Sequence, residues 1–320
     1  MGYPSLSVVI AGPIRSRVSE SDAIRNIQSY KGIFPQMEII LSTYEGEVYD
    51  SLFTEVDLIV YSEDPGLDSY RKWSTISRNT TRMLITGFEG LKAAKMQISI
   101  KSRIEINVNE IQLLRDSIVN VFGAQTKNST HLITTGPFFE NPKEYFLQPY
   151  YISDTFQIGK TPNLLAGWGN ALHWYQTMKL QDKFQHLHNP VVPANEQILG
   201  FGFMRLLHPT KRMREPNNRY LFLLKERDLI ESFVRFYWLA IPDERLGLES
   251  GRLNSYDFSN TSVVNKYENY LKMRVTKTND WNRVPILEIL QNHRNTTKKF
   301  LRISLSWHVK NVLKKIGFLG

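Results

Sequence analysis

An α/β fold built on a mostly parallel sheet with helices on both faces is the class this sequence predicts. Three observations carry it. Short, β-branched apolar runs recur at 5–12, 37–43, 56–61 and 96–101. Helical periodicity fills intervals between them, at 22–31 and 73–94. Strong turn signals, Gly12-Pro13 and Glu63-Asp64-Pro65-Gly66, close the first and third runs. Parallel strands cannot be joined by a tight turn, so strands alternating with helices call for βαβ crossovers.

The first run, SLSVVIAG, is continuously apolar after Ser7, as a strand buried on both faces should be. MEIILST and VDLIVY read the same way, and MQISIK is the fourth strand. In the helix at 73–94, Ile76, Met83, Leu84, Phe88 and Leu91 supply the apolar positions, while Gly87 and Gly90 weaken its last turns. Beyond Asn107 the pattern predicts helices at 109–121, 166–183, 195–206 and 225–239, and strands within 131–139 and 150–158. The stretch 249–280 is polar and turn-rich. The expected organisation is one body over 1–245 and a helical C-terminal extension over 246–320.

Composition narrows the function. The 320 residues include no cysteine, which excludes disulfides, thiolate metal sites and a cysteine nucleophile. The N-terminus lacks the pattern of a signal peptide, and no run reaches the ~18 apolar residues of a spanning helix. The expected location is cytoplasmic. Of the formal charge of +9, seven units fall between Arg294 and Gly320, where no acidic residue stands. The first 293 residues carry only +2. With the basicity confined to the tail and no recognition motif, nucleic acid is not the expected partner. There is no P-loop, no GxGxxG after the first strand, no HExxH and no GxSxG. His173, His186 and His188 lack a second cluster to complete a metal site.

Residues 5–106 carry an ordered set of motifs. The first strand ends Val8-Val9-Ile10-Ala11-Gly12-Pro13-Ile14. Phe34-Pro35 precedes Ile39-Ile40-Leu41-Ser42-Thr43-Tyr44. Asp64-Pro65-Gly66 follows, then Asn79 and Arg82, Gly90-Leu91, and Lys101-Ser102-Arg103-Ile104-Glu105. This order and spacing resemble the WavE lipopolysaccharide-synthesis family, whose pattern has Asp where Glu105 stands here and Trp where Tyr44 stands. Ser153-Asp154, Asn195-Glu196-Gln197, Glu231 and the apolar run before Asp243 are shorter matches. The resemblance implies a GT-A-like glycosyltransferase, moving a hexose-type sugar from a nucleotide-sugar donor to a lipopolysaccharide or capsule acceptor. A non-catalytic scaffold that keeps the transferase fold is the alternative, because Glu105 departs from the pattern.

Physical chemistry suggests roles for these residues. In open α/β sheets ligands bind beyond the carboxyl ends of the strands. Gly12 and Pro13 at a strand end let a base and ribose approach the backbone. Lys101, Arg103 and Glu105 alternate, so on an extended strand they share one face. Lys101 and Arg103 can then neutralise phosphate, and Glu105 can hold Mn²⁺ or Mg²⁺ or a sugar hydroxyl. The competing reading is a strand end closed by an ion pair. Asn79 and Arg82 share a helix face, with Arg suited to bidentate phosphate contact. Asp64 is a ligand residue or simply the turn residue of its motif. Glu196, near a helix start, is the first candidate for the base of an inverting transfer and Asp154 the second. A retaining reaction needs no such base.

The tail at 297–320 mixes Phe300, Trp307, Phe318 and aliphatic residues with the basic cluster. It reads as an amphipathic segment for an anionic membrane surface, where a lipid-linked glycan acceptor is made. A helix packed on the core with a solvated basic face is the competing reading.

Overall fold

The computed structural model describes residues 4–68, 79–122, 132–134, 152–180, 195–207, 238–240 and 248–250. Its elements are β1 (Leu6–Ala11), α1 (Glu20–Tyr30), β2 (Met37–Tyr44), β3 (Leu58–Ser62), α2 (Thr80–Ala93), β4 (Ile98–Ser102), β5 (Ile106–Val108), α3 (Ile111–Phe122), β6 (Leu132–Thr134), β7 (Phe156–Lys160), α4 (Thr161–Leu180), α5 (Asn195–Leu207), β8 (Trp238–Ala240) and β9 (Leu248–Ser250). Among the described residues, seven strands form the main sheet in the order β3-β2-β1-β4-β7-β6-β8. Strands β3, β2, β1 and β4 are parallel, and β7 runs antiparallel to β4.

The predicted α/β class is therefore the observed one. All six residues of β1 are buried because the strand lies inside the sheet with both faces covered. Alternation sorts its side chains. Leu6, Val8 and Ile10 enter one core with Ala23, Ile27 and Tyr30 of α1 and Leu114 and Ile118 of α3. Val9 points the other way, into a core with Leu84 and Leu91 of α2, Trp168 of α4 and Phe203 of α5.

Helix α1 begins where Ser19 accepts the Asp22 amide at 3.2 Å, with Glu20 and Asp22 favouring the positive end of the helix. The N-terminus of α2 is capped by a carboxylate from a distant residue. Buried Asp68 accepts the amides of Thr80 (2.9 Å) and Thr81 (3.3 Å) and the Thr81 hydroxyl. The two glycines that weaken α2 as a helix are what let it pack. A Cβ at Gly90 would crowd Val9 and Ser42, and one at Gly87 would overlap the Trp168 ring.

Three expectations are corrected. The helix expected over 225–239 does not reach its end, because Trp238–Ala240 is strand β8 paired with β6. Sheet pairing outweighs local propensity in such short segments. Of the strand expected at 150–158, the described residues 152–155 are not strand, and pairing begins at Phe156 after a bend at Asp154-Thr155. Within the polar stretch 249–280, the first residues belong to β9, which pairs with β5. The rest of the expected extension, including 297–320, lies outside the described residues, as does Glu231.

Candidate active site

The chain runs from β1 through β2 to β3 in one direction, then returns to place β4 on the other side of β1. The carboxyl ends of β1 and β4 thus lie side by side where the strand order reverses, which is where such sheets bind ligands. A cleft of about 450 Å³ opens there.

Its floor follows from the end of β1. Gly12 has φ +119, a conformation that disfavours side chains, and the direction of its absent Cβ meets no atom within 4 Å. Its amide is tied to Ser42 O at 2.9 Å, so the backbone is fixed while one side stays open. The next turn is held by Glu47, whose carboxylate accepts the amides of Ile14 and Ser16, each at 3.1 Å.

One wall comes from β2, the loop after β3, and α2. The Asp64 Oδ1 accepts the Gly66 amide at 2.9 Å, closing the Asp64-Pro65-Gly66 turn. The same oxygen accepts Arg82 Nε at 2.6 Å, and Oδ2 accepts a second guanidinium nitrogen. Asp64 is thus both a turn residue and an ion-pair partner. Its hydrogen bond from Arg82 holds its carboxyl below the usual range. Tyr44 at the end of β2 donates to Arg82 O at 2.6 Å. Burial, and then the Asp64 charge, push its phenol upward. Asn79 lines the cleft at the N-terminal boundary of α2.

The opposite wall comes from β4 and the approach to β7. Lys101 is 1% exposed. It shares a register with Val9 and Gln157, so it points toward α2 and α4. Its ammonium donates to Asp154 O and lies 4.6 Å from the Trp168 ring centroid. Trp168 is itself fixed by donating to Gln157 Oε1 at 2.9 Å. Burial brings the Lys101 ammonium down to about 8, with the Asp154 charge opposing the shift.

Strand β4 ends at Ser102, so Arg103 and Glu105 are not on a strand face as expected. The chain turns there because Ile104 is buried and its carbonyl accepts Asn26 Nδ2 at 2.8 Å. Arg103 and Glu105 still reach the cleft, from a turn. Arg103 lies 3.3 Å from Glu105 Oε1 and 3.8 Å from Asp154 Oδ2. Arg17, from the loop after β1, lies 3.8 Å from the same Glu105 oxygen.

Gly12, Pro13, Asp64, Asn79, Arg82, Lys101, Arg103, Glu105 and Asp154 all line this one cleft. Glu196 is the second residue of α5, and its side chain lies outside the described residues. Arg17, Tyr44 and Glu47 also line the cleft, and sequence reasoning assigned them no role. The Glu45-Gly46-Glu47 turn after the second strand was the available signal for one of them.

A divalent cation such as Mg²⁺ at a nucleotide takes one or two free carboxylates from the protein, with phosphate and water completing about six oxygens. Here the Glu105 carboxylate faces two guanidinium groups and that of Asp154 faces one. Among the described residues, no group of three His, Asp or Glu side chains converges. Among the described residues, Glu105 and Asp154, paired in this way, do not form a ligand set for a divalent cation.

No curated protein matches this chain. Among solved structures it is similar to glucosyl-3-phosphoglycerate synthase from Mycobacterium tuberculosis, determined with Mn²⁺, UDP and glucosyl-3-phosphoglycerate. The identity is 11% and the TM-score 0.36, over 85% of this chain and 80% of that one. Nothing about this chain's ligands follows from that likeness. The family resemblance read from the motifs extends across nearly the whole sequence: the chain matches residues 6–316 of its length to, and belongs to, the WavE lipopolysaccharide synthesis family.

Proposed function

We propose that this chain is a glycosyltransferase that moves a sugar from a nucleotide-sugar donor to a lipopolysaccharide or capsule glycan acceptor. One observation carries the reading: an open glycine backbone, arginine–carboxylate pairs and a buried lysine share a single cleft at the strand-order reversal. In this reading the base and ribose lie along Gly12-Pro13. The diphosphate lies against the cationic groups, and the sugar extends toward Asp154.

The reaction breaks the bond between the anomeric carbon and the phosphate oxygen, and the electron pair leaves with the diphosphate. The acceptor hydroxyl oxygen bonds to the anomeric carbon and gives up its proton. Arg103 and Lys101 stabilise the charge that grows on the leaving group, which fixed cations in a partly dry site do well. In an inverting transfer, Asp154 takes the acceptor proton. Glu196, in the first turn of α5, is the other candidate base.

The test is turnover of a panel of UDP-, GDP-, CMP- and dTDP-sugars by the full chain, with and without Mn²⁺ or Mg²⁺. Asp154→Asn should slow transfer by about 10²–10⁴-fold while donor affinity stays within a few-fold. Glu196→Gln run beside it separates the two candidates. Transfer at full speed by Asp154→Asn would remove that residue from the chemistry. If no donor binds or turns over, the transferase reading fails and the scaffold alternative takes its place.

The acceptor in this reading is lipid-linked, and residues 297–320 hold the enzyme at the anionic inner face of the membrane. Replacing Lys310, Lys314 and Lys315 with Glu should weaken binding to anionic vesicles. Unchanged binding would contradict the membrane role.

A further inference from the structure

Building on the nucleotide-sugar reading, we propose that Arg17 and Arg103 seat the donor's diphosphate directly, with Glu105 serving as their resident anion rather than as a metal ligand. Two guanidinium groups from different loops converge on one oxygen, Glu105 Oε1, at 3.8 and 3.3 Å. All three side chains are largely withdrawn from water, at 24%, 22% and 13% exposure. Two like charges held this close need an anion between them. Without ligand, the protein's own carboxylate fills that place. A phosphate oxygen is the natural competitor, because the guanidinium fork matches its geometry and remains charged at all relevant pH values.

Other anion seats around this cleft hold carboxylates of the protein, and the more exposed Arg82 is a secondary contact rather than the seat of the diphosphate. The amides at the start of α2, the usual anion seat of a helix, are taken by buried Asp68. Asp64 is engaged with Arg82, and Glu47 with the Ile14 and Ser16 amides. A dication placed on Glu105 would stand beside both guanidinium groups and be repelled by them. Behind the pair, Lys101 adds a fixed positive charge that cannot swing away, since Trp168 and Asp154 O enclose it. The arrangement selects a donor with two phosphates. A nucleoside monophosphate sugar would leave one guanidinium on Glu105.

The experiment titrates UDP, GDP, CDP and dTDP, and the matching monophosphates, into the full chain by calorimetry, in EDTA and in Mn²⁺. At least one diphosphate should bind in EDTA, about tenfold or more tighter than its monophosphate, with affinity changed less than about threefold by Mn²⁺. Arg17→Ala and Arg103→Ala should each weaken it by about tenfold. Glu105→Gln should bind as tightly as wild type or tighter, because the competing anion is gone. Arg17→Lys and Arg103→Lys, which keep the charge, should weaken it less and serve if an alanine protein melts early. Binding that requires Mn²⁺ and disappears in Glu105→Gln would overturn this inference and leave the transferase reading standing. No binding of any nucleotide in either condition would overturn both.

Discussion

On the β3 side of the cleft, Arg82 and Asp64 pair with side chains 30% and 43% exposed. On the β4 side, Arg103, Glu105 and Asp154 are 22%, 13% and 13% exposed, and Lys101 is 1% exposed. The residue chemistry is the same, but the physical role is not. An exposed pair contributes little to stability and exchanges partners freely, because water and salt screen it. A buried set is held in place: a guanidinium there leaves its carboxylate only for another anion, and removing one partner strands the others. The first wall is suited to adapt to a ligand. The second is suited to hold preset charge where a reaction develops it.

The largest expected effect comes from breaking the buried wall. Lys101→Met removes the ammonium between Asp154 O and Trp168 together with its burial penalty, so at neutral pH stability read from urea unfolding should not fall, and the loss should appear in ligand binding. It should abolish measurable nucleotide binding. The wild-type residue adds a pH signature. Its folded value of about 8 lies below the ordinary 10.5, so between these the unfolded chain binds a proton that the folded chain does not. The burial penalty is fully present below about pH 8 and is relieved as pH rises toward about 10.5. Wild type should therefore gain stability relative to Lys101→Met across that window, while its nucleotide affinity falls. A flat difference between the two proteins would contradict the buried-lysine assignment.

A smaller effect, on stability, is expected one layer back. Gly87→Ala pushes a methyl group into the Trp168 ring that covers Lys101 and should cost about 1–3 kcal/mol. Because both changes act through Trp168, the double variant Gly87→Ala with Lys101→Met should fall short of the sum in the same unfolding assay. Strict additivity would mean the ring does not couple them. The smallest effect belongs to the exposed wall. Arg82→Ala or Asp64→Asn should change stability by no more than about 1 kcal/mol, yet Arg82→Ala should still weaken donor binding. A loss comparable to that of Gly87→Ala would erase the contrast between the walls.

Much of the sheet was legible because its strands are written as apolar runs. LSVVIA and MEIILSTY fall within a residue or two of their predicted limits. The cleft was legible where motifs sit at strand ends, as with Gly12, Asp64 and Lys101. The alternation argument reached Arg103 and Glu105 by the wrong geometry, since burial of Ile104 ends the strand and turns the chain. Arg17 and Glu47 were not legible as site residues. Their proximity comes from the sheet bringing the loops after β1, β2 and β4 together, and single charged residues in loops carry no periodic signal. Strand β8 was misread because Trp238–Ala240 takes its conformation from pairing with β6, which no local pattern encodes.

In the proposed reaction this cleft holds the nucleotide-sugar donor. A crystal structure of the full chain soaked with the nucleoside diphosphate that binds best tests it most directly. The expected complex has the ribose against Gly12-Pro13 and the diphosphate on Arg17 and Arg103, with Asp154 facing the open end. A nucleotide bound elsewhere on the chain, or none bound at saturating concentration, would contradict it.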